Sequence, residues 1–280
     1  MHYHQVSIIS PPEYLEAISA ELMRLGSLGL VENEQGITAY FPGDRAPAQL
    51  KGALDILKDL IELADRHARI GISMGSLEGK DWNESWKKNF VPLPVGKRFV
   101  ILPPWETAPP GRTPLVIDPG MAFGTGHHET TRSCIILIER YAGEVGRERF
   151  LDLGTGTGLL AIAALHLGFR HVEGVDTDPL AIEAARMNVT LNHASAIRLA
   201  EGGLDAATGT FDMIAANLIS GTLVSLADGI ARRTRQGGMA VLSGILRGQE
   251  DEVLGAMADA GMDCRERLED GKWVALACRR

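Results

Sequence analysis

The sequence predicts an α/β chain: a mostly parallel sheet with helices on both faces, preceded by a small ferredoxin-like α+β unit. Three observations predict it. From Arg149 onward apolar strands alternate with helices, as a parallel sheet with covered faces requires. Leu151–Leu160 ends a strand in Gly154, Gly156 and Gly158 and enters an apolar helix at once. Residues 1–77 read strand, helix, strand, strand, helix, strand, the order of a ferredoxin-like sandwich.

In that first unit His4–Ser10 is strand-like, and Pro11-Pro12 opens a helix with Leu15, Ile18 and Leu22 on one face. Gly26 and Gly29 end it. Strands Leu30–Glu34 and Gly36–Tyr40 follow, joined by a tight turn from Asn33 to Gly36. A helix over Ala46–Leu63 carries Leu50, Leu54, Leu57 and Ile61 at helical spacing, and Arg69–Leu77 is a fourth strand. The unit shows no chemical groups of its own, so recognition is its expected task.

Residues 78–105 read as a connector. Within Asp81–Lys88, Trp82 and Trp86 share a helical face, either packing on the neighbouring domain or offering a substrate two anchors. Pro92, Pro94, Pro103, Pro104, Pro109 and Pro110 predict extended, irregular backbone.

The second domain spans 106–280. Its elements read as Arg149–Leu153, Leu159–Leu167, His171–Asp176, Pro179–Asn192, Ile197–Ala200, Phe211–Ala216, Ser220–Arg232, Met239–Ser243 and Arg247–Ala260. Met262–Leu268 and Trp273–Cys278 have no helix between them and form a hairpin turning at Asp270-Gly271. An antiparallel last strand in a parallel sheet is the habit of class I methyltransferases.

The totals narrow the partners. Lys and Arg number 28 against 36 Asp and Glu, a net charge of -8, which disfavours binding nucleic acid through its phosphates. A basic protein suits such a chain better. Cys134, Cys264 and Cys278 form no CxxC pair or disulfide framework, as expected of a cytoplasmic protein. No signal peptide and no apolar run of membrane-spanning length is read. A monomer is the expectation.

The glycine loop carries the first chemistry. Gly154, Gly156 and Gly158 allow a sharp turn and close approach of a ligand. A dinucleotide fingerprint places its third glycine at 159, which is Leu159; an NAD-dependent oxidoreductase is thereby opposed. The G-x-G-x-G spacing is that of S-adenosylmethionine pockets. Asp152 can take the cofactor's ammonium indirectly, backbone N–H groups at the helix start suit its carboxylate, and Asp176 is placed to accept from both ribose hydroxyls. No metal is expected: His127, His128 and Glu129 are adjacent and diverge.

The loop Asp118–Thr131 precedes an apolar helix. Phe123 and the flexible Gly124 and Gly126 fold over the cofactor in this reading, and Thr131 donates from its hydroxyl. One histidine acts as a base, caps the helix or touches the cofactor's carboxylate. Asn217 ends a strand at the sheet's carboxyl edge, where its carbonyl can accept from a reacting amine; capping the next helix is the other reading. Asn217 is followed by Leu218-Ile219, without the prolines and aromatic that clamp a flipped base.

Taken together these motifs resemble one family, the bacterial ribosomal protein L-eleven methyltransferases, also called PrmA. The matching pieces run from Asp81-Trp82 through Trp86-Lys87, the Asp118–Thr131 loop, Leu151–Leu160, Val175–Pro179 and Ala216-Asn217-Leu218 to Leu242–Leu246. Glu129 stands where the family usually has a proline. The resemblance implies S-adenosylmethionine as cofactor and methylation of the N-terminal α-amine and of lysine ε-amines, to the trimethyl stage. By position it puts cofactor contacts on Thr131, Gly154, Asp176 and Asn217, with Asn217 also orienting the amine. A methyltransferase for another protein lysine, a small molecule or nucleic acid is the alternative.

Overall fold

The computed structural model describes residues 2–11, 14–33, 36–43, 47–65, 68–78, 90–118 and 128–280. They divide into two compact units, one ending at Phe90 and one beginning at Val91.

The first unit comprises β1 (His2–Ile9), α1 (Leu15–Arg24), β2 (Gly29–Asn33), β3 (Gly36–Pro42), α2 (Pro47–Ala64) and β4 (Gly71–Glu78). Its sheet runs β2-β3-β1-β4 with every pairing antiparallel, the ferredoxin-like arrangement read from the sequence. Val6, Ile8 and Phe41 of the sheet pack with Ile18, Leu22 and Leu54 of the helices. α1 stops because Gly26 adopts φ 80, and the amides of Gly26 and Ser27 close back on Met23 and Leu22. Residues 34 and 35 of the expected β2–β3 turn, and Trp82 and Trp86, lie outside the described residues.

In the second unit the backbone after Val91 is more regular than its prolines suggest. β5 (Leu93–Val95), β6 (Phe99–Leu102) and β7 (Thr113–Val116) form a small sheet of order β5-β6-β7. Pro94 and Pro114 sit in the two edge strands, where a missing N–H costs nothing, and the central strand β6 is proline-free and fully buried. The connector read over 78–105 thus gives way to folded structure well before residue 105.

The large sheet is built from β8 (Arg149–Leu153), β9 (His171–Asp176), β10 (Arg198–Glu201), β11 (Phe211–Asn217), β12 (Thr234–Leu246), β13 (Asp263–Asp270) and β14 (Trp273–Arg279). Its order is β10-β9-β8-β11-β12-β14-β13. β8 to β12 pair in parallel, and β14 is inserted antiparallel to β12 and β13. The helices are α3 (Glu129–Tyr141), α4 (Leu159–His166), α5 (Pro179–Leu191), α6 (Ser220–Arg233) and α7 (Glu250–Asp259). Cores lie on both faces: Phe150, Met213 and Val241 pack with Ile135 and Ile138 of α3, while Leu151, Ile214 and Leu242 pack with residues of α6 and α7. Strand order reverses between β8 and β11, so the crevice at their carboxyl ends is where an open sheet of this type takes its ligand. Among the described residues no helix is long and apolar enough to cross a membrane.

At the opposite end of these strands, Glu173 ties three elements together. Almost wholly buried, it meets Arg149 at 2.5 Å, Arg198 at 2.7 Å and the Thr208 hydroxyl at 3.0 Å. Removing one partner of a buried pair strands the others. Glu173→Gln is therefore expected to destabilise the fold by about 3 kcal/mol while cofactor affinity stays unchanged. Urea unfolding alongside calorimetric titration checks both halves.

Candidate active site

The turn is left-handed at each of its three glycines. Gly154, Gly156 and Gly158 have φ 74, 53 and 80, a region that costs other residues about 1–2 kcal/mol. A Cβ on Gly154 would approach Leu218 Cδ2 to 2.6 Å. The turn is pinned from two sides. The amides of Gly154 and Thr155 both donate to the Val175 carbonyl at 2.9 Å. The Gly156 amide donates to Asp176 Oδ2 at 2.9 Å, and the Asp178 amide holds Oδ1 at 3.0 Å. Asp176 thus stands at the end of β9 with its carboxylate oriented by backbone, as a ribose partner needs.

Asp152 has a larger part in the fold than the sequence suggested. It is fully buried, and Oδ2 accepts from Thr155 Oγ1 at 2.8 Å and from the Ala161 amide at 3.0 Å. The second bond caps the first turn of α4, where a carboxylate meets the positive end of the helix dipole. Oδ1 makes no hydrogen bond. Burial pushes the carboxyl up to about 8 against the pull of Thr155 and Ala161, with Asp176 adding to the rise. The buried Cys134 thiol is held protonated by burial first and by Asp152 second, and the Ser243 hydroxyl lies against it.

The period of two along a strand explains this cluster. Phe150, Ala215 and Val241 face the α3 side of the sheet, so Asp152, Asn217 and Ser243, each two residues on, face the same way. β8, β11 and β12 are neighbours, with Asn217 opposite Ser243. α3 lays Thr130, Thr131 and Cys134 against them. Asn217 Nδ2 donates to Thr130 Oγ1 at 3.1 Å and to Thr131 Oγ1 at 3.3 Å. That commits the amide nitrogen and turns the carbonyl into the free acceptor. Asn217 does not cap α6; the cap is Ile219, without a side-chain bond.

His128 caps α3: its Nδ1 accepts from the Thr130 amide at 3.3 Å and lies 2.7 Å from the Thr130 hydroxyl. Because Nδ1 accepts the amide proton, the hydroxyl donates to it as well. The chain Asn217, Thr130, His128 is then directional. Its last member touches Trp273, with ring centroids 5.0 Å apart at 65°. Sequence reasoning missed Trp273, Ser243 and Cys134. The polar Ser243 in the same strand-end position as Asn217 was the available signal; Trp273 had none, being brought in by the hairpin. Phe123, Gly124, Gly126 and His127 lie outside the described residues.

The family described as "Ribosomal protein L11 methyltransferase (PrmA)" matches residues 2–280. The chain belongs to that family. A ribosomal protein L11 methyltransferase of Pelobacter propionicus is 40% identical over 276 residues, covering 95% of this chain and 86% of that protein. One from Chloroflexus aurantiacus is 36% identical and covers 99% and 97%. The crystal structure of a ribosomal protein L11 methylase from Lactobacillus delbrueckii subsp. bulgaricus superposes with TM-score 0.62 at 30% identity, over 68% of this chain and 97% of that one. Membership makes the chain an S-adenosylmethionine-dependent methyltransferase. The site fits that cofactor: a left-handed glycine cradle, an orphaned buried carboxylate oxygen for a cationic head, and a backbone-oriented acid for a diol.

Two expectations follow. The folded pKa of Asp152 lies above its ordinary 3.8, at about 8, so folding holds a proton that the unfolded chain releases. Stability is then full at low pH and falls as pH rises between those values. Asp152→Asn should flatten that slope; urea midpoints measured from pH 4 to 9 that run parallel for both proteins would rule this out. Gly154→Ala should weaken cofactor binding at least tenfold through the strained turn, read by calorimetry.

Proposed function

We propose that this enzyme transfers methyl groups from S-adenosylmethionine to the N-terminal α-amine and lysine ε-amines of ribosomal protein L11. The observation that carries the amine reading is Asn217, whose carboxamide is fixed by two threonine hydroxyls with its carbonyl left to accept. The names of the relatives supply the protein substrate. The net charge of -8 suits a basic protein partner, and the ferredoxin-like unit, whose described residues hold no metal-ligating cluster, is the recognition domain.

When bound, the cofactor would supply a sulfonium methyl, a group whose leaving sulfide needs little help, for the neutral amine to take. The residues have three tasks. Gly154, Gly156 and Gly158 admit the cofactor's head beside Asp152, and Asp176 takes the ribose hydroxyls. Thr131, whose oxygen already accepts from Asn217, keeps its own O–H to donate toward the cofactor. Asn217 Oδ1 accepts an N–H of the incoming amine and aims its lone pair, a positioning effect that can lower a barrier substantially.

The amine must arrive neutral. At pH 7 an α-amine of pKa about 7.8 costs roughly 1 kcal/mol to deprotonate and a lysine near 10.4 roughly 4.6. An amide is no strong base, and the His128 Nδ1 is occupied as a helix cap, so neither of these side chains takes the proton. Leu218, taken up against Gly154, leaves no stacking platform for a base.

Incubation with radiolabelled S-adenosylmethionine, ribosomal protein L11 and ribosomal RNA tests the assignment. Label is expected on the protein. Asn217→Ala should lower turnover about a hundredfold, and Asp176→Ala should weaken cofactor Kd by tenfold or more. Label on RNA alone, or turnover unchanged in Asn217→Ala, would sink the proposal.

A further inference from the structure

Trp273 opens β14 opposite Leu246, at the same carboxyl edge of the sheet that carries Gly154 and Asn217. Its position is not explained by packing alone: it is only part-buried, while Val274 to Cys278 after it are buried. Its ring contacts reach the acceptor side of the site. The edge contact with His128 at 5.0 Å, the 2.7 Å contact of His128 with Thr130 and the 3.1 Å bond from Asn217 to Thr130 form one continuous path.

The indole already receives an alkylammonium. Lys272 Nζ lies 5.4 Å from the ring centroid, within the range of a cation–π interaction. Two acids lie nearby: Glu129 Oε2 is 3.9 Å from His128 Nε2, and Arg132 bridges Glu129 at 3.8 Å and the part-exposed Asp270 at 2.9 Å. The lysine of the chain itself occupies the place that a substrate lysine could take.

We propose that the Trp273 indole is an alkylammonium subsite beside the transfer position, where the substrate amine rests as a cation, displacing Lys272, before and between methyl transfers. The inference rests on the amine-methyltransferase reading. The chemistry gives it a direction. Each added methyl removes an N–H that Asn217 Oδ1 can accept and weakens hydration of the cation, while attraction to an aromatic face persists. The subsite therefore retains methylated amines that Asn217 holds progressively less well. Trp273 is a specificity-determining residue here, acting on KM rather than on the reacting atoms.

Titrating the full-length enzyme with tetramethylammonium chloride, with sodium chloride at equal ionic strength as control, reads the subsite directly. The indole N–H resonance missing from Trp273→Phe identifies the signal. That resonance should shift with tetramethylammonium and not with sodium, and more readily in Lys272→Ala. In turnover, Trp273→Leu should raise KM for a dimethyl-lysine substrate about five- to thirtyfold, more than for the unmethylated one, with kcat within about twofold and Trp273→Phe intermediate. No selective shift, together with equal KM changes at every methylation state, would overturn the inference. A selective shift in an enzyme that labels no ribosomal protein would leave the subsite standing and remove the functional reading instead.

Discussion

The fold and the site both depend on one buried carboxylate. Asp152, one residue before the end of β8, caps α4 through Ala161 and holds Thr155 in the glycine turn. Strand, turn and helix therefore meet at a single side chain. The cost is an ionisable group in an apolar interior, which the protein accepts by raising its pKa and leaving one oxygen without a partner. A packed apolar residue there would join strand to helix more cheaply but would present nothing to a cationic ligand.

Around that residue, geometry does what a motif cannot. Three adjacent parallel strands share a pleat, so residues at equivalent strand ends face the same way. The result is a polar patch of Asp152, Asn217 and Ser243 on an otherwise apolar face. α3 answers it with Thr130, Thr131 and Cys134, and the helix is started by His128, so the same residue that begins the helix also completes the site's polar chain. Insertion of β14 between β12 and β13 brings the far end of the sequence to this edge, which is how Trp273 comes to face a histidine some 145 positions earlier in the chain.

Much of this was legible beforehand. β8 and β9 were read to the residue, since apolar runs bounded by Gly and Asp leave little freedom, and the C-terminal hairpin followed from the absence of a helix between two strands. β12 was read as Met239–Ser243 but spans Thr234–Leu246, because pairing with β11 and β14 extends a strand past its apolar centre. The proline-rich stretch hid β5 to β7, as prolines at sheet edges look like prolines in loops until the pairing is known.

The sequence by itself determined the cofactor class, the family and the doubly wound sheet. Each of these depends on local patterns: glycine spacing, strand–helix alternation, and an acid one strand away from the turn. Only the tertiary structure decided what the polar residues do with one another. That Asn217 is held by threonines rather than capping α6, that Asp152 is a helix cap as well as a ligand candidate, and that the Trp273 indole meets His128 are consequences of strand register and helix placement. Asp152 meets Ala161 only nine positions on, but Asn217 and Thr130 are 87 apart and Trp273 and His128 lie still further apart in the chain, beyond any local window of sequence.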